Sequence, residues 1–142
     1  MRQTGFSLIE VMVATIIIGI LAATAQTLYQ QYVIKTQVTR AVSEIASLKL
    51  PIEICLSHSQ LKVDDDCILP TFSSSLLKNN YPQISNPLVL ESKIIGTFGG
   101  DANAVLTNKK IIWQRDSEGK WTCTTDIPLK LRAGACVTDI VN

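Results

Sequence analysis

The chain of 142 residues predicts an α+β fold, in which the outer half of one long N-terminal α-helix packs against a four-stranded antiparallel β-sheet. Three observations lead there. The run from Val11 to Ala25 is almost uniformly Val, Ile, Leu, Ala and Met. An amphipathic stretch continues from it with neither Gly nor Pro to stop a helix before Pro51. Beyond Pro87 the apolar residues shift toward a period of two, the spacing of a sheet with one covered face.

The first element is the apolar run. With the four residues before Glu10 it approaches the ~20 residues, at ~1.5 Å rise each, that span a bilayer core. Glu10 is the exception inside it, because an ionisable group at the centre of a membrane helix costs ~2.5–3.5 kcal/mol on insertion scales. Two readings stand. Either Glu10 lies near enough to the membrane surface to stay hydrated or is protonated, or a cationic group is brought to it. The nearest cation is an α-amino group, if the chain is cut just before Phe6.

The second element is the amphipathic continuation. Leu28, Tyr32, Val38, Val42, Ile45, Leu48 and Ile52 recur near helical spacing, and Lys35, Gln37, Arg40, Ser43, Glu44 and Ser47 take much of the remaining surface. Arg40 with Glu44 and Lys49 with Glu53 are i, i+4 pairs, each worth a few tenths of a kcal/mol if formed. Pro51 lacks an N–H and crowds the carbonyl four residues back, so a kink is expected there, with Cys55 on the last helical turn.

Residues 57–87 read as loop. The run Asp64-Asp65-Asp66 lacks the glycine and distal glutamate of a calcium loop and reads as a solvated turn. Leu76, Leu77 and Tyr81 are expected to form a short packed turn. Strands are expected at 88–98, 104–106, 110–115 and 120–125, with a hairpin turn at Asp116-Ser117-Glu118-Gly119 and a tighter one at Thr107-Asn108-Lys109. Such a small sheet is not stable alone, so its inner face, with Ile111, Trp113 or their neighbours, must cover the outer half of the helix. Trp113 and Trp121 are core candidates.

Composition narrows the function classes. Lys plus Arg number 13 against 12 Asp plus Glu, and loss of Arg2 from the 13 leaves 12 against 12, so no global basic field points to nucleic acid. Cys55, Cys67, Cys123 and Cys136 all follow the apolar run; an even count in an oxidising compartment reads as two disulfides, with three pairings possible. Sequential pairing closes two short loops. Spacings without CxxC, and a single His58, argue against a metal site, and no cofactor motif is present. A secretory signal peptide would lose its apolar region on cleavage, whereas here that region follows the candidate cut. Arg2, with the apolar segment after it, favours a cytoplasmic leader and an external C-terminal bulk.

The segment Gly5-Phe6-Ser7-Leu8-Ile9-Glu10-Val11-Met12-Val13, behind the leader Met1-Arg2-Gln3-Thr4 and ahead of Ile17-Ile18-Gly19-Ile20-Leu21-Ala22-Ala23, resembles the N-terminus of a type IV prepilin. The resemblance implies leader cleavage between Gly5 and Phe6 by an inner-membrane prepilin peptidase, N-methylation of Phe6, and a role for Glu10 in neutralising the amine of a neighbouring subunit. It continues through Ile94 to Gly99, Ala102 to Leu106, Ile111-Ile112-Trp113-Gln114-Arg115-Asp116 and Gly119-Lys120-Trp121-Thr122-Cys123, which are similar to type IVa pilins whose tail is a disulfide-bounded loop ending here at Cys136. Leu48 to Cys55 is similar to a subgroup with a second disulfide after the helix. The implied pairs are Cys55–Cys67 and Cys123–Cys136. Thr27 stands where the family commonly has a proline associated with local unwinding, so the helix is expected to stay regular there.

The implied organisation is a leader at 1–5, a transmembrane and filament-core half-helix at 6–28, an amphipathic half-helix at 29–56 and a globular head at 57–142. The implied function is that of a pilin polymerising into a type IV pilus used for adhesion, twitching motility or DNA uptake, rather than an enzyme. Implied partners are copies of itself in a helical filament, the peptidase, the inner-membrane assembly platform with its motor ATPases, and minor pilins. The implied locations are the inner membrane and then the surface of a Gram-negative bacterium. The alternatives are a type II secretion pseudopilin, against which the two disulfides and C-terminal loop argue, and a DNA-binding or minor competence pilin. For DNA, Lys109, Lys110, Lys120, Lys130 and Arg132 are the candidate basic patch.

Overall fold

The computed structural model describes residues 5–132, 134–136 and 138–140; residues 1–4 of the expected leader lie outside the described residues. The chain forms two compact units, residues 1–33 and 34–142. Helix α1 is Leu8–Ala46 and helix α2 is Lys49–Ser57.

In the second unit, the helix buries Ile34, Val38, Ala41, Val42 and Ile45, a stripe at helical spacing that Leu48 and Ile52 continue across the break. The expected stripe also included Leu28 and Tyr32, but these are 69% and 68% exposed, because the covering core begins only at Ile34. The interruption is at Ser47–Leu48, one turn ahead of Pro51. The carbonyl that Pro51 crowds and cannot bond is that of Ser47, so the break falls there. The Leu48 N–H bonds Ile45 O at 3.2 Å instead, a tighter turn, and the helix resumes with Ile52 N–H on Leu48 O.

Five strands form one sheet: β1 Gln83–Ile84, β2 Lys93–Thr97, β3 Lys110–Arg115, β4 Trp121–Thr125 and β5 Thr138–Asp139, in spatial order β1-β2-β3-β4-β5. Neighbours are antiparallel except β4 and β5, which are parallel. The expected four strands become five because β1 and β5 have two residues each, too few for alternation to register in a sequence. The expected strand at 104–106 is instead a 3₁₀ turn, Ala104–Leu106, whose Val105 N–H donates to Asn103 Oδ1 at 3.0 Å. The expected strand at 88–98 is shortened at its start. Ser92 Oγ accepts the Val89 N–H and donates to Val89 O, closing a turn where alternation alone predicted extended chain.

The covered face of the sheet consists of two rows set by register: Ile94, Trp113 and Cys123, then Gly96, Ile111 and Thr125. Gly96 marks a close approach. A Cβ there would lie 2.2 Å from Ile45 Cδ1, so a larger residue would force that side chain to shift where the helix seats on β2. At the β3–β4 turn, Asp116 Oδ1 accepts the N–H groups of Glu118 and Lys120, and Gly119 takes a positive φ of 89°.

Glu53 carries the polar contact between α2 and the sheet. The sequence pairs it with Lys49; the fold gives it Arg115 instead, at 2.7 Å from Nε, with the Trp121 indole N–H donating to the same oxygen at 2.7 Å. Lys49 Nζ lies over the Trp113 ring, 3.6 Å from its centroid. The Arg40–Glu44 pair forms at 2.6 Å, and Ser74 Oγ also donates to Glu44, tying the loop after α2 to α1. Disulfides join Cys55 to Cys67 and Cys123 to Cys136, with Cα separations of 5.5 and 4.7 Å. The first closes the loop after α2. The second ties β4 to the segment leading to β5.

Opening the second bridge with Cys136→Ser releases a loop of sequence separation 13 in the unfolded chain and should destabilise the head by ~3 kcal/mol, read by urea unfolding. An unaltered midpoint contradicts this. The Arg115 hydrogen bonds hold the Glu53 carboxyl below the usual carboxylate range, with desolvation opposing and the Trp121 bond assisting. A depressed folded-state pKa gives stability that is complete above the unfolded value of ~4.3 and fades as pH falls through the folded value. Glu53→Gln should therefore melt several degrees below the parent at neutral pH, with the gap narrowing below about pH 4. A gap independent of pH would show that the ion pair contributes nothing.

Candidate functional site

The first unit consists of residues that have no protein to bury them. All described residues from Gly5 to Tyr32 are exposed, among them Phe6 at 88% and Leu8 at 92%. An apolar surface of this extent marks contact with a membrane or with other chains. The helix is long and apolar enough to cross a bilayer. Its hydroxyls suit that setting, since Thr15, Thr24 and Thr27 donate to the carbonyls of Met12, Leu21 and Thr24 at 2.9–3.0 Å. These three hydroxyls therefore enter an apolar setting already paired. Thr27 sits in unbroken helix.

The helix begins in a way that explains the one carboxylate of its exposed half. Glu10 Oε2 accepts the backbone N–H of Ser7 at 2.9 Å, while the Glu10 and Val11 N–H groups bond Ser7 O at 3.1 and 3.3 Å. This is the return arm of a capping box, Ser-x-x-Glu, which satisfies a donor that a helix start leaves open and sets negative charge at the positive end of the helix dipole. The role of Ser7 went unnoticed at the sequence level. The spacing of Ser7 and Glu10 immediately before an apolar run was its signal. Ile9, Val13, Ala14 and Ile17 line a shallow apolar groove beside Glu10, open along one side of the helix.

Gly5 and Phe6, the candidate cleavage residues, lie just ahead of the cap and outside regular structure. Both are exposed, and among the described residues a Cβ at Gly5 would meet no atom within 4 Å beyond its chain neighbours.

The candidate basic residues divide. Lys109 and Lys110 precede and open β3, and Lys130 lies on the 3₁₀ turn Leu129–Leu131 just after β4, so these three share one end of the β3–β4 hairpin. Lys120 is at the other end, in the turn. Arg132 donates to Ile127 O at 2.6 Å and to the Asp139 carboxylate. Asp126 accepts the Lys110 N–H at 2.6 Å, placing an acid among the lysines. Among the described residues no three His, Cys, Asp or Glu side chains gather as metal ligands.

Two family profiles match this chain, and their limits follow the two units. The prokaryotic N-terminal methylation motif matches residues 1–25, and pilin, a bacterial filament family, matches residues 34–137. Among relatives, the type IV major fimbrial protein FimA of Dichelobacter nodosus is 38% identical, with 97% of each chain covered. A probable minor fimbrial protein of the same organism is 32% identical over 97% of each, and a fimbrial protein of Pseudomonas aeruginosa is 34% identical over 85% of this chain and 84% of its own. Among solved structures, the crystal structure of the Cs1 pilin chimera shares the fold, with a TM-score of 0.61 at 17% identity over 75% of this chain and 98% of that one. A methylation motif on the apolar helix and a pilin pattern on the head, joined in relatives aligned nearly end to end, make the chain a member of the type IV pilin family.

Proposed function

We propose that this chain, a structural subunit of type IV pili, is made as a prepilin whose leader is removed between Gly5 and Phe6 and whose new N-terminal Phe6 is methylated. The observation that carries the proposal is the exposed apolar helix of the first unit, with its single carboxylate at the capped start. Before assembly the helix is held in the inner membrane. On assembly it leaves lipid for an equally apolar environment made of other helices, a transfer that costs little and can be reversed.

Glu10 gives that packing a register. In the single chain its carboxylate is bonded to the Ser7 N–H. In the fibre the amine of a neighbouring Phe6 joins it, so that two charges that would otherwise be buried alone are removed together. An uncompensated buried ion costs ~3–5 kcal/mol, so subunits out of register are rejected. A heterologous contact that never closes into a ring builds a helical filament. The fibre then lies on the surface of a Gram-negative cell, where adhesion, motility and DNA uptake are the uses open to it.

Mass spectrometry of the fibre subunit should find a mature chain starting at Phe6 with one added methyl group; a chain starting at Met1 refutes the processing scheme. Glu10→Val should insert in the membrane at parental level yet reduce surface fibres at least tenfold by electron microscopy. Parental piliation in that variant refutes the register role.

A further inference from the structure

A cleft of about 400 Å³ lies beside the edge strand β1 and over the helix break. Its volume is that of a small-molecule site, for which ~300–1,000 Å³ is usual. Leu48 and Ile84 contribute apolar lining, Phe72 and Tyr81 contribute two aromatic rings, and Asp64 and Asn86 are the polar groups beside them. The two rings stand with centroids 6.5 Å apart and planes inclined at 57°, so they form a corner rather than a stack. Tyr81 is 53% exposed, which leaves ring surface open to a ligand.

The cleft is held in shape from several sides. The Ser74 N–H donates to Asn80 O at 3.0 Å, which ties the stretch carrying Phe72 to the stretch carrying Tyr81. Val63 N–H donates to Asn86 Oδ1 at 3.3 Å, and Asp64 N–H donates to Cys67 O at 3.0 Å, in the loop that the Cys55–Cys67 bridge closes. A site fixed before its ligand arrives loses little on ordering.

The charges select the ligand. Asp64 is the one charged side chain among the described residues that line the cleft, and it makes no ion pair among them. Lys62 is turned to Asp65 instead, with Nζ 3.8 Å from Oδ2. An unpaired carboxylate repels an anion. A primary ammonium or a metal ion keeps a tight water shell, which two rings and an aliphatic lining do not replace. A quaternary ammonium spreads its charge over methyl groups, so it offers apolar surface to the rings and positive charge to the carboxylate together.

We propose that this cleft binds a small quaternary ammonium cation of the choline kind, with its methyl groups against the Phe72 and Tyr81 rings and its charge facing Asp64. The site lies within one head, so it adds a binding function to the subunit that is independent of polymerisation.

Equilibrium dialysis of the full-length chain in dodecyl maltoside against labelled choline tests it. Choline should bind saturably, and its neutral isostere, with carbon in place of nitrogen, should bind about tenfold more weakly or worse. Asp64→Asn and Tyr81→Leu should each weaken choline by about threefold or more at an unchanged melting temperature, while Tyr81→Phe, which keeps the ring, should bind as the parent does. Glycerophosphocholine separates the two sources of the group: binding that matches choline supports the site with a lipid headgroup as ligand, and binding confined to choline supports it with the free cation. No saturable choline binding overturns the site, as does an isostere that binds equally, which would make the cleft merely apolar. Choline binding that neither Asp64→Asn nor Tyr81→Leu alters also overturns it, since the cation then sits elsewhere. Because the assay is made on single subunits, each of these failures leaves the filament reading standing.

Discussion

Apolar surface that its own chain does not cover is the constraint on which this molecule depends. From Leu8 to Tyr32 the helix, with Phe6 just ahead of it, exposes apolar side chains that water disfavours by roughly 25 cal/mol for each Å². No folding of the remaining chain relieves this, since the head's core starts at Ile34. The relief must come from lipid or from other copies, and these two environments are nearly equal to an apolar side chain. A subunit that exchanges one for the other is the consequence. The one acid in the segment, Glu10, holds the backbone N–H of Ser7 as a partner at the helix start.

The head solves a different problem, which is to hold a small sheet rigidly on half of a helix. Its means are close approach and a few directed polar contacts. Gly96 lets Ile45 press against β2, two rows of side chains fill the covered face, and Glu53 gathers Arg115 and Trp121 onto α2. Arg115 reaches further, donating to Leu90 O at 2.9 Å, so one guanidinium binds the helix, β3 and the turn before β2. Two disulfides then close the loop after α2 and the stretch leading to β5, neither of which is held by a long strand or helix of its own. A domain with so modest a core gains more from such links than a larger one would.

The relatives add meaning to this division. The methylation motif and the pilin pattern stop and start near the boundary between the two units, so the parts that differ physically are also matched separately. Major and minor fimbrial proteins align with the chain at similar coverage, which is why the family assignment rests on the whole length rather than on the N-terminal motif alone.

Much of this was legible in the residues because it is local. An apolar run declares a membrane helix by composition, i+3 and i+4 spacing declares a covered stripe, Pro51 declares a break, and Asp116 to Gly119 declares a turn, since each depends on neighbours within a few positions. Even the cap at Ser7 and Glu10 was there to be read. What only the tertiary structure decided depends on residues far apart in sequence. Glu53 left its i+4 neighbour Lys49 for Arg115, a partner 62 positions away that brings a second hydrogen bond and a less exposed site. Leu28 and Tyr32 keep helical spacing yet stay uncovered, because spacing says which side of a helix is apolar and only the arriving sheet says how much of that side is buried. The strands β1 and β5 exist because β2 and β4 offer them edges, and two residues with a partner make a strand that two residues alone do not.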